Sequence, residues 1–196
     1  GHYYLDGEYT HKKQYTVNSG VRMVLDLRGY KLTTKDSRLF LVYGYAAVID
    51  TVGGGRISAN ASTANNGGAV LIAWDAVAMN DEQDATFAMY NCTATLEKGR
   101  SGLNGGLFAL ANNCTLKIYN STLLNASAAE RGGAIYTNAK EAAVEMTDSS
   151  ILGCSGPTSG GAIYAMCSVT LKNCVFEDGR EERRMLQAVQ VVGGNC

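Results

Sequence analysis

The acidic side chains that follow Trp74 have the clearest potential for metal chemistry in this sequence. Calcium is a hard cation that takes roughly six to eight oxygen ligands, and carboxylates are among its usual ligands. The candidate ligands are Asp75, Asp81, Glu82 and Asp84, with Asn80 as a neutral addition. Their spacing matches neither an EF-hand loop nor a nonapeptide calcium repeat, which favours an ordinary solvated loop. We therefore predict no cofactor and keep calcium at these four carboxylates as the alternative.

Catalysis by acidic residues has weaker support. Glycoside hydrolysis requires two carboxylates held at a fixed separation on rigid elements, whereas the nearest doublet, Asp81-Glu82, falls in a loop. Imidazole is scarce, since the chain has two histidines, His2 and His11, and no CxxC motif accompanies them. A zinc site is therefore not expected. We predict no catalytic residue. The alternative is a polysaccharide lyase or glycoside hydrolase that acts through the acidic loop.

Three aromatic residues are candidates for ligand binding. Trp74 can stack on a sugar ring or anchor the loop that follows it, and we favour the anchor. Tyr136 and Tyr164 occupy equivalent places in a repeat and are expected to form an outward strip suited to a saccharide or a protein. The same pair can instead form a stabilising ladder, worth about 0.2–1 kcal/mol. We favour the ladder and keep all three residues as candidate binding residues.

A double-glycine repeat is the main structural signal in the sequence. Four segments begin with Gly-Gly, at residues 67, 105, 132 and 160, and they start 38, 27 and 28 residues apart. The first spacing is the longest because it contains the loop with Trp74 and the acidic residues. A period of this length is typical of solenoid proteins, in which each unit buries its apolar face against the next unit.

A second motif follows each double glycine and alternates between apolar and polar residues. Its apolar pairs are Phe87/Met89, Leu116/Ile118, Val144/Met146 and Val169/Leu171. Alternation with a period of two predicts a β-strand. An Asn or Asp then recurs at 91, 120, 148 and 173, which predicts a turn, because these residues tolerate left-handed backbone. A further short apolar stretch begins three residues later. Each unit is therefore predicted to contain three short strands joined by corners.

Units of this size, without helical periodicity, must stack into a parallel coil with a shared core. The first 66 residues fit the same pattern more loosely, and the whole chain gives about seven rungs at a spacing of about 4.8 Å. We treat residues 1–196 as one β-helix domain, with N-terminal rungs in 1–66 and double-glycine rungs in 67–196. Stacking predicts an internal column of Val70, Phe108, Ile135 and Ile163. It also predicts an outward column of Leu71, Ala109, Tyr136 and Tyr164.

The same stacking predicts that most of the cysteines are free. Cys92 and Cys174 share a column but lie about three rungs apart, and Cys114 and Cys167 lie about two rungs apart. The Cα atoms of a disulfide lie only about 4.4–6.8 Å apart, so neither pair can be bridged. The state of two cysteines stays open: Cys154 and Cys196.

Composition excludes several functional classes. Lys plus Arg number 17 against 18 Asp plus Glu, so the net charge is −1 and no nucleic-acid partner is expected. The longest nearly uncharged apolar run, 39–49, is much shorter than the roughly 20 residues that span a bilayer. We therefore predict no membrane span in this chain. No signal segment of the cationic-then-apolar kind opens it.

Two sets of residues resemble known β-helix proteins. Residues 3–7 (YYLDG) leading to 24–30 (VLDLRGY) look like the first rungs of right-handed parallel β-helices of the pectin-lyase-like superfamily. The GGAIY segments at 132–136 and 160–164 resemble the GGA(I/L/V) repeats of polymorphic membrane proteins and similar autotransported surface adhesins. The resemblance implies an all-β, single-stranded right-handed parallel β-helix. It also implies a secreted or cell-surface location. The paired aspartates and GHG histidine of pectin-hydrolysing members do not occur in the sequence.

These observations predict a non-enzymatic extracellular or cell-surface protein for adhesion, ligand presentation or a structural stalk. The expected partner is a host or matrix glycan or protein. Residues 191–196 (VVGGNC) resemble the start of another double-glycine rung. We therefore expect either a piece of a longer solenoid or end-to-end association through an open rung, because exposed strand edges are templates for pairing.

Overall fold

The computed structural model describes residues 1–35, 37–60, 66–73, 84–97, 103–177 and 189–191. These residues contain 21 short β-strands. In chain order the strands are β1 (His2–Tyr4), β2 (Tyr9–His11), β3 (Tyr15–Val17), β4 (Arg22–Asp26), β5 (Lys31–Thr34), β6 (Phe40–Val42), β7 (Tyr45–Ile49), β8 (Arg56–Ala59), β9 (Val70–Ile72), β10 (Thr86–Tyr90), β11 (Thr93–Leu96), β12 (Phe108–Leu110), β13 (Thr115–Tyr119), β14 (Thr122–Leu124), β15 (Ile135–Thr137), β16 (Ala143–Thr147), β17 (Ser150–Leu152), β18 (Ile163–Ala165), β19 (Ser168–Lys172), β20 (Val175–Glu177) and β21 (Val189–Val191).

The strands form three parallel sheets of seven strands each. Sheet A contains every third strand from β1 to β19, sheet B every third strand from β2 to β20, and sheet C every third strand from β3 to β21. Three consecutive strands, such as β13, β14 and β15, therefore make one rung, with one strand in each sheet. The predicted all-β parallel β-helix of seven rungs is confirmed.

The predicted internal column is present in sheet C. Phe108 pairs with Val70 on one side and with Ile135 on the other, and Ile135 pairs with Ile163. None of the four side chains has exposed area. Phe40 extends the column toward the N-terminus by pairing with Val70. Each rung thus closes the core of its neighbours, as expected for a solenoid whose units have no core of their own.

The double glycines are steric requirements of the corner before sheet C. Gly132 has a φ of +61°, in the left-handed region that favours glycine. A Cβ on Gly132 would overlap the carbonyl oxygen of Ile135. A Cβ on Gly133 would overlap the carbonyl oxygen of Gly161 on the next rung. The first glycine therefore permits the turn, and the second permits the close approach of successive rungs.

The predicted turns between sheets A and B are also confirmed. Asn91, Asn120, Asp148 and Asn173 have φ values of +59°, +46°, +50° and +52°. They occupy equivalent positions on four consecutive rungs, because each directly follows its sheet A strand. Asn and Asp are the side chains that visit the left-handed region most readily after glycine.

The first rungs use a buried carboxylate to shape the same corner. Asp50 is only 2% exposed. Its Oδ1 accepts hydrogen bonds from the backbone N–H of Gly29 (2.7 Å) and Val52 (3.3 Å), and its Oδ2 from Gly53 (3.1 Å) and Gly55 (2.6 Å). Burial alone would raise the pKa of Asp50, but these four bonds together lower it below its usual range. The glycine-rich corner at 53–55 is thus organised around one charged group.

Five cysteines lie in the described residues, and all five are free thiols: Cys92, Cys114, Cys154, Cys167 and Cys174. The stacking argument is confirmed for the four cysteines that it covered, and Cys154 is now assigned. Burial raises the pKa of Cys92 to about 12 and that of Cys154 to about 11. These thiols act as small apolar core residues. Cys196 lies outside the described residues.

The last described strand fixes the register near the C-terminus. Val189–Val191 pairs with Ile163–Ala165, so it is the third strand of the seventh rung. Gly193 and Gly194 therefore follow a sheet C strand in the sequence, whereas the earlier double glycines precede one. Gly193 and Gly194 themselves lie outside the described residues.

No helix in the described ranges is long and apolar enough to cross a membrane.

Candidate binding surface on sheet A

Most of the loop that contains Trp74 and the candidate calcium ligands lies outside the described residues. This applies to Trp74, Asp75, Asp81 and Glu82. Asp84 is described, and its side chain is exposed two residues before β10. Within the described ranges, no group of three or more His, Cys, Asp or Glu side chains is arranged to hold a metal ion. The calcium alternative at the acidic loop stays a prediction.

Tyr136 and Tyr164 form the ladder that we favour over an outward aromatic strip. Their rings stack with centroids 5.6 Å apart and planes 16° apart, yet each residue is only 8% exposed. Together with Ala109 they form a second, small apolar cluster, against which Leu71 packs half-buried. The guanidinium of Arg131 covers the ring of Tyr164 at 5.1 Å. A ligand-binding role for the two tyrosines stays a prediction, but they do not offer an open aromatic strip.

Sheet A has an aromatic and charged outer surface, which we call the tyrosine face. Its residues are Arg22, Tyr45, Tyr90, Lys117, Tyr119 and Glu145. Strand alternation explains their orientation. In β10, Phe87 and Met89 are fully buried in the core, so Tyr90 lies on the opposite side of the sheet. The parallel register then places Tyr119 directly beside Tyr90 on the next rung.

The centre of the tyrosine face is a stacked tyrosine pair joined to an ion pair. The rings of Tyr90 and Tyr119 lie with centroids 5.0 Å apart and planes 11° apart. The hydroxyl of Tyr119 donates a hydrogen bond to Glu145 Oε2 at 3.2 Å. Lys117 Nζ lies 3.2 Å from the same oxygen. The carboxylate therefore fixes both the phenol and the ammonium group, and the hydrogen bond that Lys117 donates to Glu145 raises the pKa of Lys117.

The N-terminal part of the tyrosine face is formed by Tyr45, which the guanidinium of Arg22 covers at 4.4 Å from the ring centroid. Between Tyr45 and Tyr90 the outer surface carries the small side chains of Ala47 and Ala88. These alanines are only 2% and 1% exposed, although they point away from the core. Burial raises the pKa of Tyr90, and the phenols of Tyr45 and Tyr119 add to the shift. The tyrosines and the two alanines therefore belong to the same outer side of sheet A.

The chemistry of the tyrosine face is that of a contact surface. Stacking covers one ring face of Tyr90 and one of Tyr119. The ring edges and hydroxyl groups of the two tyrosines therefore make up much of the surface that is accessible to a partner. Aromatic side chains with a polar tip contribute large contact area together with hydrogen bonding, and tyrosine is enriched in protein interfaces. The repeat alignment already contains part of this signal, because Tyr90 and Tyr119 end equivalent strands. Tyr45 precedes the first double glycine in the sequence, where the alignment of repeats is weak.

Three carboxylates on the rungs are committed to neighbouring protein groups. Asp50 accepts the four backbone bonds given above. Asp26 accepts bonds from the Arg28 N–H (3.0 Å) and the Thr51 hydroxyl (2.6 Å). Glu97 pairs with Lys31 and accepts a 2.9 Å bond from the hydroxyl of Ser58. Hydrogen bonds of this kind support corners and sheet edges.

No protein-family model, curated protein or solved structure matches this chain. The parallel β-helix is therefore defined by the strand register of the chain itself.

Proposed function

We propose that the protein is a non-catalytic β-helix of the cell exterior or cell surface, which adheres to a partner protein or presents a ligand through the tyrosine face. The observation that carries the proposal is the stacked pair of Tyr90 and Tyr119 on the outer side of one seven-stranded sheet. Tyr45 lies on the same side of that sheet, at the opposite end of the neighbouring strand β7. A rigid sheet holds these side chains without the entropy cost of ordering a loop when the partner binds.

The charges on the tyrosine face favour a protein partner. Lys117 and Glu145 already neutralise each other, so a partner that covers them leaves no unpaired charge in the interface. The guanidinium of Arg22 rests on Tyr45, and arginine and tyrosine are, with tryptophan, enriched among the residues that contribute most to binding in protein interfaces.

We infer a relationship to the pectin-lyase-like superfamily and to autotransported surface proteins with GGA(I/L/V) repeats. Two features support it: the coil of three parallel sheets and the double-glycine corner before sheet C. The extracellular or cell-surface location follows from this inferred relationship. A fold of this kind hosts several functions, so the adhesive role depends on the tyrosine face.

A binding assay tests the proposed role. The probes are immobilised collagen, fibronectin and laminin and intact epithelial cells. The double variant Tyr90→Ala/Tyr119→Ala is compared with the control Tyr9→Ala/Tyr30→Ala, which removes two exposed tyrosines from elsewhere on the molecule. We expect at least one probe to bind the wild type and the control but not the first variant. Failure of every probe to bind, or equal binding by both variants, would overturn the role of the tyrosine face.

A second assay separates adhesion from the enzymatic alternative. The protein is incubated with acidic and neutral polysaccharides, with and without calcium. We expect no products. Release of unsaturated or reducing ends would overturn the non-catalytic proposal, and dependence of that release on calcium would direct attention to the acidic loop at residues 75–84.

A further inference from the structure

The turn residues between sheets A and B form an interrupted hydrogen-bonded ladder. The amide nitrogen of Asn120 donates to the amide oxygen of Asn91 on the previous rung at 2.9 Å. The amide nitrogen of Asn173 donates in the same direction to Asp148 Oδ1, also at 2.9 Å. All four side chains are exposed and occupy equivalent turns. In an unbroken ladder each amide would donate to the rung before it and accept from the rung after it.

The ladder is interrupted between Asn120 and Asp148. The amide of Asn120 is already directed at Asn91, so its oxygen is the group left for the following rung. Asp148 occupies that rung, and an ionised carboxylate has no hydrogen to donate. In the described part of the chain no hydrogen bond joins the two side chains, and none is donated to the Asn120 oxygen. Two acceptors therefore lie on adjacent rungs, about 4.8 Å apart along the axis, without a donor between them.

An open groove of about 370 Å³ lies at this interruption. Its lining is polar apart from Val175 and consists of Asn120, Ser121, Thr122, Asp148, Ser149, Ser150, Asn173 and Val175. The hydroxyls of Ser121 and Ser149 are committed, because each donates to a carbonyl two residues earlier in the chain at 2.7 Å. The hydroxyls of Thr122 and Ser150 lie 3.1 Å apart, and only one of their hydrogens is used between them.

We propose that this groove binds a saccharide, with hydroxyl groups of the sugar donating to the Asn120 amide oxygen and the Asp148 carboxylate. Vicinal hydroxyls supply two donors at short spacing, which is what the interrupted ladder lacks. A calcium ion is a poorer match, because it takes roughly six to eight oxygens and this groove offers a single carboxylate. The site uses none of the tyrosine-face residues, so it extends the proposed function without depending on it.

The variant Asp148→Asn gives an unusually sharp test, because it completes the ladder. The new amide would donate to Asn120 and still accept from Asn173, which removes the free acceptors without enlarging the side chain. We therefore expect its melting temperature to be equal to or higher than that of the wild type, together with loss of saccharide binding. Asp148→Ala removes the acceptor without restoring the ladder. Glu141→Gln, an exposed site on another corner, is the control for the change in charge.

Binding is measured as shifts of the side-chain amide signals of Asn120 and Asn173 in ¹H–¹⁵N spectra. The probes are gluco-, galacto-, manno- and xylo-configured trisaccharides, with calcium chloride alone as a separate arm. We expect at least one trisaccharide to shift these signals in the wild type and in Glu141→Gln. In both Asp148 variants we expect at least about tenfold weaker binding. Absence of shifts with every trisaccharide, equal shifts in Asp148→Asn, or the same shifts with calcium alone would each overturn the proposal.

Discussion

Replacing Asp50 with Asn should be among the most damaging isosteric changes in this protein. The carboxylate is 2% exposed and accepts four backbone N–H groups, two on each oxygen. Asparagine keeps one of these oxygens and puts an NH2 group in place of the other. Two backbone donors then lose their acceptor in a buried site and face another donor. A hydrogen bond to a charged group contributes about 1.5–3 kcal/mol, so we expect a loss of about 3–6 kcal/mol.

Equilibrium unfolding in urea measures this loss as a lower transition midpoint at an unchanged slope. The matched control is Asp6→Asn, an exposed carboxylate near the N-terminus, whose effect should stay within about 0.5 kcal/mol. An Asp50→Asn midpoint equal to that of Asp6→Asn would refute the claim that this carboxylate organises the glycine corner.

The same carboxylate predicts the pH dependence of stability. The pKa of Asp50 is lower in the folded protein than its ordinary value, so its stabilising contribution is fully present above the unfolded pKa. That contribution is lost as the pH falls through the folded pKa. We expect stability to decline below about pH 4, with a smaller decline in Asp50→Asn. An identical acid dependence in the two proteins would contradict this assignment.

Three further predictions concern the core and the corners. Gly133→Ala forces a Cβ into the backbone of the next rung and should lower the free energy of unfolding by about 1–3 kcal/mol. Gly7 has open space around it, so Gly7→Ala should change this free energy little. Thermal unfolding compares the two variants. Phe108→Ala empties the centre of the core and should lower the urea unfolding free energy by about 3–5 kcal/mol. In a variant that lacks Cys196, iodoacetamide at pH 8 should label Cys174 first in the native state, because Cys174 is only partly buried. Cys92, with its pKa raised to about 12, should react only after unfolding, and fast native labelling of Cys92 would contradict the packing of that column.

The sequence was sufficient to predict the coil, because its repeats are local and strictly ordered. The double glycines mark one corner, the Asn or Asp residues mark another, and the alternation in β10 and β13 assigns inner and outer faces without coordinates. The column from Val70 to Ile163 follows directly from these alignments, as do the free states of Cys92 and Cys114.

The surfaces were harder to predict, because they depend on contacts between side chains of different corners. The alternation with a period of two correctly predicts that Tyr136 points away from the core. It does not predict that Arg131 and neighbouring residues cover the outward column of Ala109, Tyr136 and Tyr164. The alignment also shows Asp148 among asparagines. Whether an aspartate at 148 leaves unpaired acceptors depends on the direction in which Asn120 donates its hydrogen bond. That direction follows from the structure and not from the sequence.

The central claim is that side chains of successive double-glycine units lie one above another and share one interior. Methyl and aromatic NOE measurements on the intact protein test it directly at Phe108. We expect cross-peaks from its ring to the methyl groups of both Val70 and Ile135, which are distant in sequence but on adjacent rungs. A ring of Phe108 with cross-peaks only to residues near it in the chain would contradict the stacked coil.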